Sequence, residues 1–320
     1  MGQDKGQTNF ESASWLIVGL VSLGVFFTAL DQTVVVTVLP QVMLDMEIPP
    51  TKLDHASWII TGYLLGYTVA IPLVARLSDA YGHANLFRGS LVVFALGSVL
   101  VALSPNLPWL VSARVLQAVG GGAIIPIGMA LVTAALPGHR RAMAVGIVGA
   151  AAEMGVVLGP LYGGAITEAL SWRWLFWLDV PQAAIILLTL RAISNRPSPG
   201  IRVDYVGGFL LAAALTLLVI ALSRRDLFTA ATFTPYLLLA TAVLVLAGLV
   251  WWQMRVYQPL LTPVFFRSRA ALSALGAKLL MGAALIIALV TVPLMANTVL
   301  EKSALEGGLH LMRLTGAMPI

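Results

Sequence analysis

Residues 108–136 read PWLVSARVLQAVGGGAIIPIGMALVTAAL, an unbroken apolar run in which the single charge is Arg114. A helix rises about 1.5 Å per residue and a bilayer's hydrocarbon core is about 30 Å thick, so about 20 such residues cross it. This run is long enough to span a membrane. Similar runs recur with short polar breaks, and they place helices near 15–38, 56–76, 87–104, 108–136, 142–167, 173–192, 204–223, 234–254 and 271–299, with a tenth beginning near 307. Proline and glycine mark the breaks at Pro40, Pro49-Pro50, Pro105, Pro137-Gly138 and Pro197-Ser198-Pro199-Gly200. Strands of a membrane barrel would instead alternate over segments of about ten residues. The reading is an all-α polytopic membrane protein with nine full transmembrane helices and a partial tenth.

Composition agrees. The 320 residues are 59% hydrophobic and only 10% charged, with a mean hydropathy of +0.92, whereas a water-soluble domain carries about 25% charge. Soluble, disordered, collagenous and disulfide-framework classes are excluded, and with no cysteine so are thiol catalysis and Cys-ligated metals. A net charge of +5 does not indicate nucleic acid, because the basic residues are scattered rather than clustered.

Their placement reports topology. Lys5, Arg76, Arg88, Arg140, Arg141, Arg191, Arg196, Arg202, Arg255, Arg267 and Arg269 fall on the amino-terminal side, and Lys52, Arg173, Arg224, Arg225 and Lys302 on the other. Eleven against five puts the amino terminus in the cytoplasm of a multi-pass protein of the cell (inner) membrane. Residues 1–14 lack the basic region of a signal peptide and form a short cytoplasmic tail. The expected organisation is that tail, an amino-terminal six-helix bundle over 15–193, a linker with two further spans over 194–256, and the start of a second bundle over 257–320.

A charge at mid-bilayer costs about 2.5–3.5 kcal/mol even on the lenient insertion scale, so each intramembrane ion needs a partner, a water-filled cavity or a function. The candidates are Asp31, Arg114, Glu153, Asp179 and Lys278. By helical rise Asp31 lies about 12 Å and Arg114 about 9 Å below the outer surface, in one layer. Glu153, near mid-membrane on the fifth helix, is expected to face inward. Asp179, about 10 Å deep by the same rise, is read as an interfacial acid held by Arg173. The fifth helix also carries Ala151, Gly155, Gly159 and Gly163 at four-residue spacing, beside Pro160 and Gly164. Small residues at that spacing form a smooth ridge for close helix packing, and the proline permits a bend, so the ridge reads as a hinge or sliding face or as plain tight packing.

These residues also carry a family resemblance. LDQTVVVTVLP at 30–40 resembles the first-helix signature of the fourteen-helix drug/proton antiporters of the major facilitator superfamily, and RVLQAVGGG at 114–122, with Gln117 and Gly120, resembles their fourth-helix motif. Gly155 to Gly164 is similar to their fifth-helix antiporter motif, and WRWLF at 172–176 with Val180-Pro181 follows in the family's order, Asp179 standing where Asn is usual. The loop after the second helix keeps only Asp79 and Gly82 of the superfamily's Gly-x-Leu-x-Asp-Arg-x-Gly-Arg-Lys, with Arg76 or Arg88 as substitutes for the missing basic residues.

The resemblance implies a secondary exporter that moves small amphipathic or cationic compounds in exchange for protons. Its proton-coupling residues would be Asp31, Arg114 and Glu153, its hinge the ridge of Gly155, Gly159, Pro160, Gly163 and Gly164, and its cytoplasmic gate Asp79, Gly82 and Arg76. Its partners would be a small-molecule substrate, protons and membrane lipids, with no nucleic acid and no cofactor beyond the proton gradient. The alternative is a non-transporting membrane sensor or assembly subunit. An enzyme is not expected, since His55, His83, His139 and His310 sit in or near loops without metalloprotease spacing. The resemblance implies six more helices after the linker pair, of which this sequence holds the first and part of a second, so the 320-residue chain is expected to be a fragment or truncated product that exports nothing alone.

Overall fold

The structure, a computed structural model, describes residues 2–191, 203–223, 234–260, 268–298 and 306. Among them are the long helices α1 (Gly2–Asp45), α3 (Trp58–Tyr81), α4 (His83–Ala102), α5 (Leu107–Ala135), α6 (Gly138–Ala169), α7 (Trp172–Leu190), α8 (Tyr205–Ser223), α9 (Thr234–Gln253) and α10 (Arg269–Thr298); α2 (Leu53–Ala56) is a single turn leading into α3. Among the described residues, eight of the long helices are long and apolar enough to cross a membrane, and the uncharged run at 279–296 lies within α10. The helical reading therefore holds, with no strand among the described residues. The break at Ser194–Arg202, the partial tenth span from 307 and the side chain of Lys278 lie outside what is described.

Most punctuation falls where the residues require it. Asn106 caps α5, its Oδ1 accepting from the Trp109 amide at 3.0 Å, and Ser171 accepts from the Arg173 amide to cap α7. Gly82 sits between α3 and α4 at φ 92°, a conformation that a side chain disfavours. Pro40 does not end α1, contrary to the break expected there. Its missing N–H removes one ladder bond, but the turn beyond it buries Val42 and Met43 against α3 and α7 residues such as Ile59 and Trp172, and that burial carries the helix on to Asp45.

Helices α1 and α3 to α7 pack around two apolar clusters. The near cluster, towards the start of α1, gathers Val21, Val25, Phe87, Phe94, Ile127 and Ile186. The far cluster gathers Leu30, Val34, Val38, Leu110, Leu175 and Phe176. Hydrogen bonds join the ends: Ser14 Oγ donates to the Ala135 carbonyl at 3.1 Å on the near side, and Arg173 pairs with Asp45 and donates to the Ser104 carbonyl at 3.3 Å on the far side. The α6 ridge meets α1: a Cβ added at Gly155 would lie 2.9 Å from the Leu30 nitrogen, at Gly159 2.9 Å from the Leu30 oxygen and at Gly163 2.6 Å from Val34 Cγ2. Only glycine permits so close a helix contact.

Helices α8 and α9 pair with each other, and α8 rests on α3 where Gly208 faces Leu73. Asp204 locks the pair. Its Oδ1 accepts from the Gly207 amide at 2.8 Å, capping α8, and from Trp252 Nε1 at 2.9 Å, while Oδ2 accepts from Gln253 Nε2 at 2.8 Å.

Candidate functional site

Between the two apolar clusters lies one layer of buried polar side chains. Arg114 and Asp31 are 1% and 2% exposed, and Arg114 Nη1 donates to Asp31 Oδ2 at 2.9 Å and Oδ1 at 3.1 Å. The common depth expected from helical rise brings the two into an ion pair between α5 and α1. A buried charge of either sign alone would be costly, and the pair with its added hydrogen bonds is how a bilayer interior tolerates both.

Gln117, one turn beyond Arg114, extends the layer. Its Oε1 accepts from Arg114 Nη1 at 2.7 Å, and its Nε2 donates to Asp31 Oδ1 at 3.2 Å and to Ser98 Oγ at 2.8 Å. Ser98 Oγ stands 2.9 Å from Asp179 Oδ2 and 3.0 Å from the Phe94 carbonyl. This reach depends on glycine: a Cβ at Gly97 would lie 2.6 Å from the Gln117 nitrogen, and one at Gly120 would lie 2.6 Å from the Ser90 oxygen. The guanidinium of Arg114 also sits 4.0 Å over the Tyr63 ring and 5.5 Å from that of Phe176, a cation–π contact on each side.

One placement differs from the sequence reading, and one candidate lies outside the layer. Asp179 is not held by Arg173 at the surface; it is 6% exposed and belongs to the buried layer. Six residues separate them on α7, about 9 Å of helical rise, and Arg173 is taken by Asp45. Glu153 stands apart from this layer, and its side chain is exposed. It lies two residues before Gly155, whose face packs on α1, so it points away from α1.

The remaining candidates are dispersed. Gly155, Gly159, Pro160, Gly163 and Gly164 are buried in the α1–α6 contact. Thr33 Oγ1 there donates to the Val156 carbonyl at 3.2 Å, the acceptor that Pro160, lacking an N–H, leaves free one turn on. Asp79 is half-buried near the end of α3. Arg76 Nη2 donates to the Pro259 carbonyl at 2.8 Å, tying α3 to the segment after α9, whereas Arg88 turns back to Asn85 and Ala84 on its own helix. Ser98, Tyr63 and Asp204 were not singled out in the sequence. Asp204 was legible as an acid just before an apolar run, but a lone serine and tyrosine in apolar helices carry no signal until the helices are packed.

A helical bundle with an ion pair enclosed within its spans defines a multi-pass α-helical membrane protein. Residues 21–314 match the family described as Major Facilitator Superfamily, and the chain belongs to that superfamily. It is 38% identical over 311 residues to a triacylglyceride transporter of Mycobacteroides abscessus, covering 95% of this chain and 60% of the relative. It is 37% identical over 308 residues to a probable triacylglyceride transporter of Mycobacterium leprae, covering 93% and 60%. The chain thus spans about 60% of the length of these relatives. Among solved structures, the inward open conformation of the xylose transporter XylE from E. coli shares the fold at a TM-score of 0.50 and 16% identity, covering 69% of this chain and 57% of that one.

Proposed function

We infer that the protein is a proton-coupled secondary transporter of amphipathic or neutral lipid molecules, with triacylglyceride as the first substrate to test. The observation that carries the coupling is the Asp31–Arg114 pair, enclosed between apolar clusters and shared by α1 and α5. A proton delivered to Asp31 cancels its charge and frees Arg114, so protonation favours a different packing of the two helices from the one described. The α6 glycine ridge supplies a smooth face along which α1 can shift, and Arg76 at Pro259 supplies a contact to release. Coupling is assigned to Asp31 and Arg114 alone, because Glu153 has no contact with the layer.

The names of the relatives support a lipid substrate, and the likeness of 30–40, 114–122 and 155–164 to drug/proton antiporters supports proton exchange and keeps cationic amphiphiles as the comparison substrate. On this reading substrate and proton favour opposite states of an alternating-access cycle, with the amino terminus cytoplasmic in the cell membrane.

The test is transport in proteoliposomes under an imposed pH gradient. The protein is used alone and joined to the carboxy-terminal remainder of the Mycobacteroides abscessus relative, and fluorescent triacylglyceride is compared with a cationic dye. Gradient-dependent lipid movement supports the proposal. Movement of the dye alone would return the substrate to the drug class, and movement of either compound without regard to the gradient would remove the coupling.

A further inference from the structure

Asp179 joins the polar layer through Ser98, with Gln117 beyond it. An arginine only donates, so the oxygen of the Gln117 amide must be the atom at 2.7 Å from Arg114 Nη1 and its nitrogen the atom facing Ser98 and Asp31. The two Nε2 hydrogens then go to the nearer partners, Ser98 Oγ at 2.8 Å and Asp31 Oδ1 at 3.2 Å, leaving Asp179 Oδ2 at 3.4 Å without one. Ser98 Oγ has one hydrogen and two acceptor sites. One acceptor site is filled by Gln117, and two oxygens remain, the Phe94 carbonyl at 3.0 Å and Asp179 Oδ2 at 2.9 Å. A carbonyl cannot donate. If Asp179 were ionised it would take the one serine hydrogen, leaving Ser98 Oγ and the Phe94 carbonyl, which keeps its helical amide bond, 3.0 Å apart with no hydrogen between them. If Asp179 carries a hydrogen, it donates to Ser98, Ser98 donates to Phe94, and every contact is satisfied.

Charge counting agrees independently. Among the described side chains, the charged and titratable groups around Asp179 are Asp31 on α1, Tyr63 on α3, Arg114 on α5 and Tyr162 on α6, while α4 presents Ser98. With both aspartates ionised against one guanidinium the layer would hold a net negative charge inside the bilayer; one proton makes it neutral. Asp31 is the acid ion-paired with the guanidinium, both of its oxygens facing Nη1 at 2.9 and 3.1 Å, and is the member that stays charged. Towards the near side, Asp179, Thr28 and Gln182 line a cavity of about 10 Å³, and Gln182 Oε1 is a buried acceptor with no protein partner. That space is about what one water needs, and a water there would donate one hydrogen to Gln182 Oε1 and the other to the Asp179 oxygen that does not face Ser98.

We propose that Asp179 is a proton-binding site, a protonated carboxylic acid that donates to Ser98 and communicates with Asp31 through Gln117. The site rests on the same polar layer as the transport reading but does not require that transport occur. Infrared spectroscopy of the full 320-residue chain in lipid nanodiscs tests it without turnover. The wild type at neutral pH shows the carbonyl stretch of a protonated carboxylic acid, Asp179→Asn abolishes it, and Ser98→Ala shifts it to higher frequency because the acid loses its acceptor. Ser98 touches Asp179 and not Asp31, so this second variant says which acid holds the proton, and it keeps both aspartates should Asp179→Asn fail to fold. Absence of the band in the wild type, its persistence in Asp179→Asn, or an unmoved band in Ser98→Ala would each overturn the proposal. A failed lipid-transport assay beside a shifted band would remove the transport reading and leave this site standing.

Discussion

Replacing Arg114 by methionine keeps an unbranched side chain of similar reach and deletes the one cation of the polar layer among the described side chains. Three acceptors lose the two hydrogens of Nη1: Gln117 Oε1 takes one, and Asp31 Oδ1 and Oδ2 share the other. Asp31 is then a buried carboxylate without a counter-ion, a state that costs about 3–5 kcal/mol. Its escape is to bind a proton, which costs about 1.36 kcal/mol for each unit by which pH exceeds the ordinary aspartate value near 3.9, hence about 4 kcal/mol at pH 7 and about 1.5 kcal/mol at pH 5. The sign follows from proton counting: the folded variant binds one more proton than the wild type while the unfolded chains bind alike, so the deficit shrinks as pH falls. A proton on Asp179 is common to both proteins and cancels. Denaturant unfolding in detergent micelles, followed by the fluorescence of the eight tryptophans, measures both proteins at the two pH values. The expected result is a deficit of about 4 kcal/mol at pH 7 that falls by about 2.7 kcal/mol at pH 5. A deficit equal at both pH values, or below about 1 kcal/mol throughout, would refute the view that the pair is a dry, charge-compensating contact.

Gly159→Ala places a methyl 2.9 Å from the Leu30 oxygen, so α1 and α6 must part, and overpacking of this kind costs about 1–3 kcal/mol. On the same helix Gly149 has nothing within 4 Å of an added Cβ, so Gly149→Ala is neutral or stabilising by up to about 1 kcal/mol; in thermal melts side by side Gly159→Ala should fall below the wild type and Gly149→Ala should not. Asp204→Ala removes the cap of α8 together with the bonds from Trp252 and Gln253, with a loss of about 1–2 kcal/mol for the cap alone, and hydrogen exchange at the Gly207 amide should accelerate while that in α5 stays unchanged.

The spans were legible because the bilayer imposes one length and one polarity on every helix, so an apolar run such as 108–136 has a single stable reading. Proline breaks were legible at Pro49-Pro50, Pro105 and Pro137, where little burial lay beyond the proline, and misleading at Pro40, where Val42 and Met43 carry the helix through. Depth along a helix follows from counting, which is why Asp31 and Arg114 could be set in one layer. Azimuth does not follow from counting on a helix that is apolar all round, and α6 carries no pattern that separates its faces except its glycines. Counting gave Glu153 its depth, whereas its direction away from α1 follows only from its offset of two from Gly155. Asp179 was misplaced for a related reason: the nearest cation in sequence, Arg173, had a better partner in Asp45 across the bundle, and only the packed helices show that Ser98 and Gln117 stand beside the acid instead.

The central claim is that a proton on Asp31 drives substrate movement by breaking its bond to Arg114. Its most direct measurement is the rate of fluorescent triacylglyceride movement in proteoliposomes, with and without an imposed pH gradient, for the wild type and Asp31→Asn, each joined to the carboxy-terminal remainder of the Mycobacteroides abscessus relative. Asparagine keeps the shape and loses the titratable charge. The account predicts gradient-stimulated movement in the wild type and none above the no-gradient rate in Asp31→Asn, with equal amounts of folded protein in the membrane. Equal stimulation by the gradient in both proteins would contradict it.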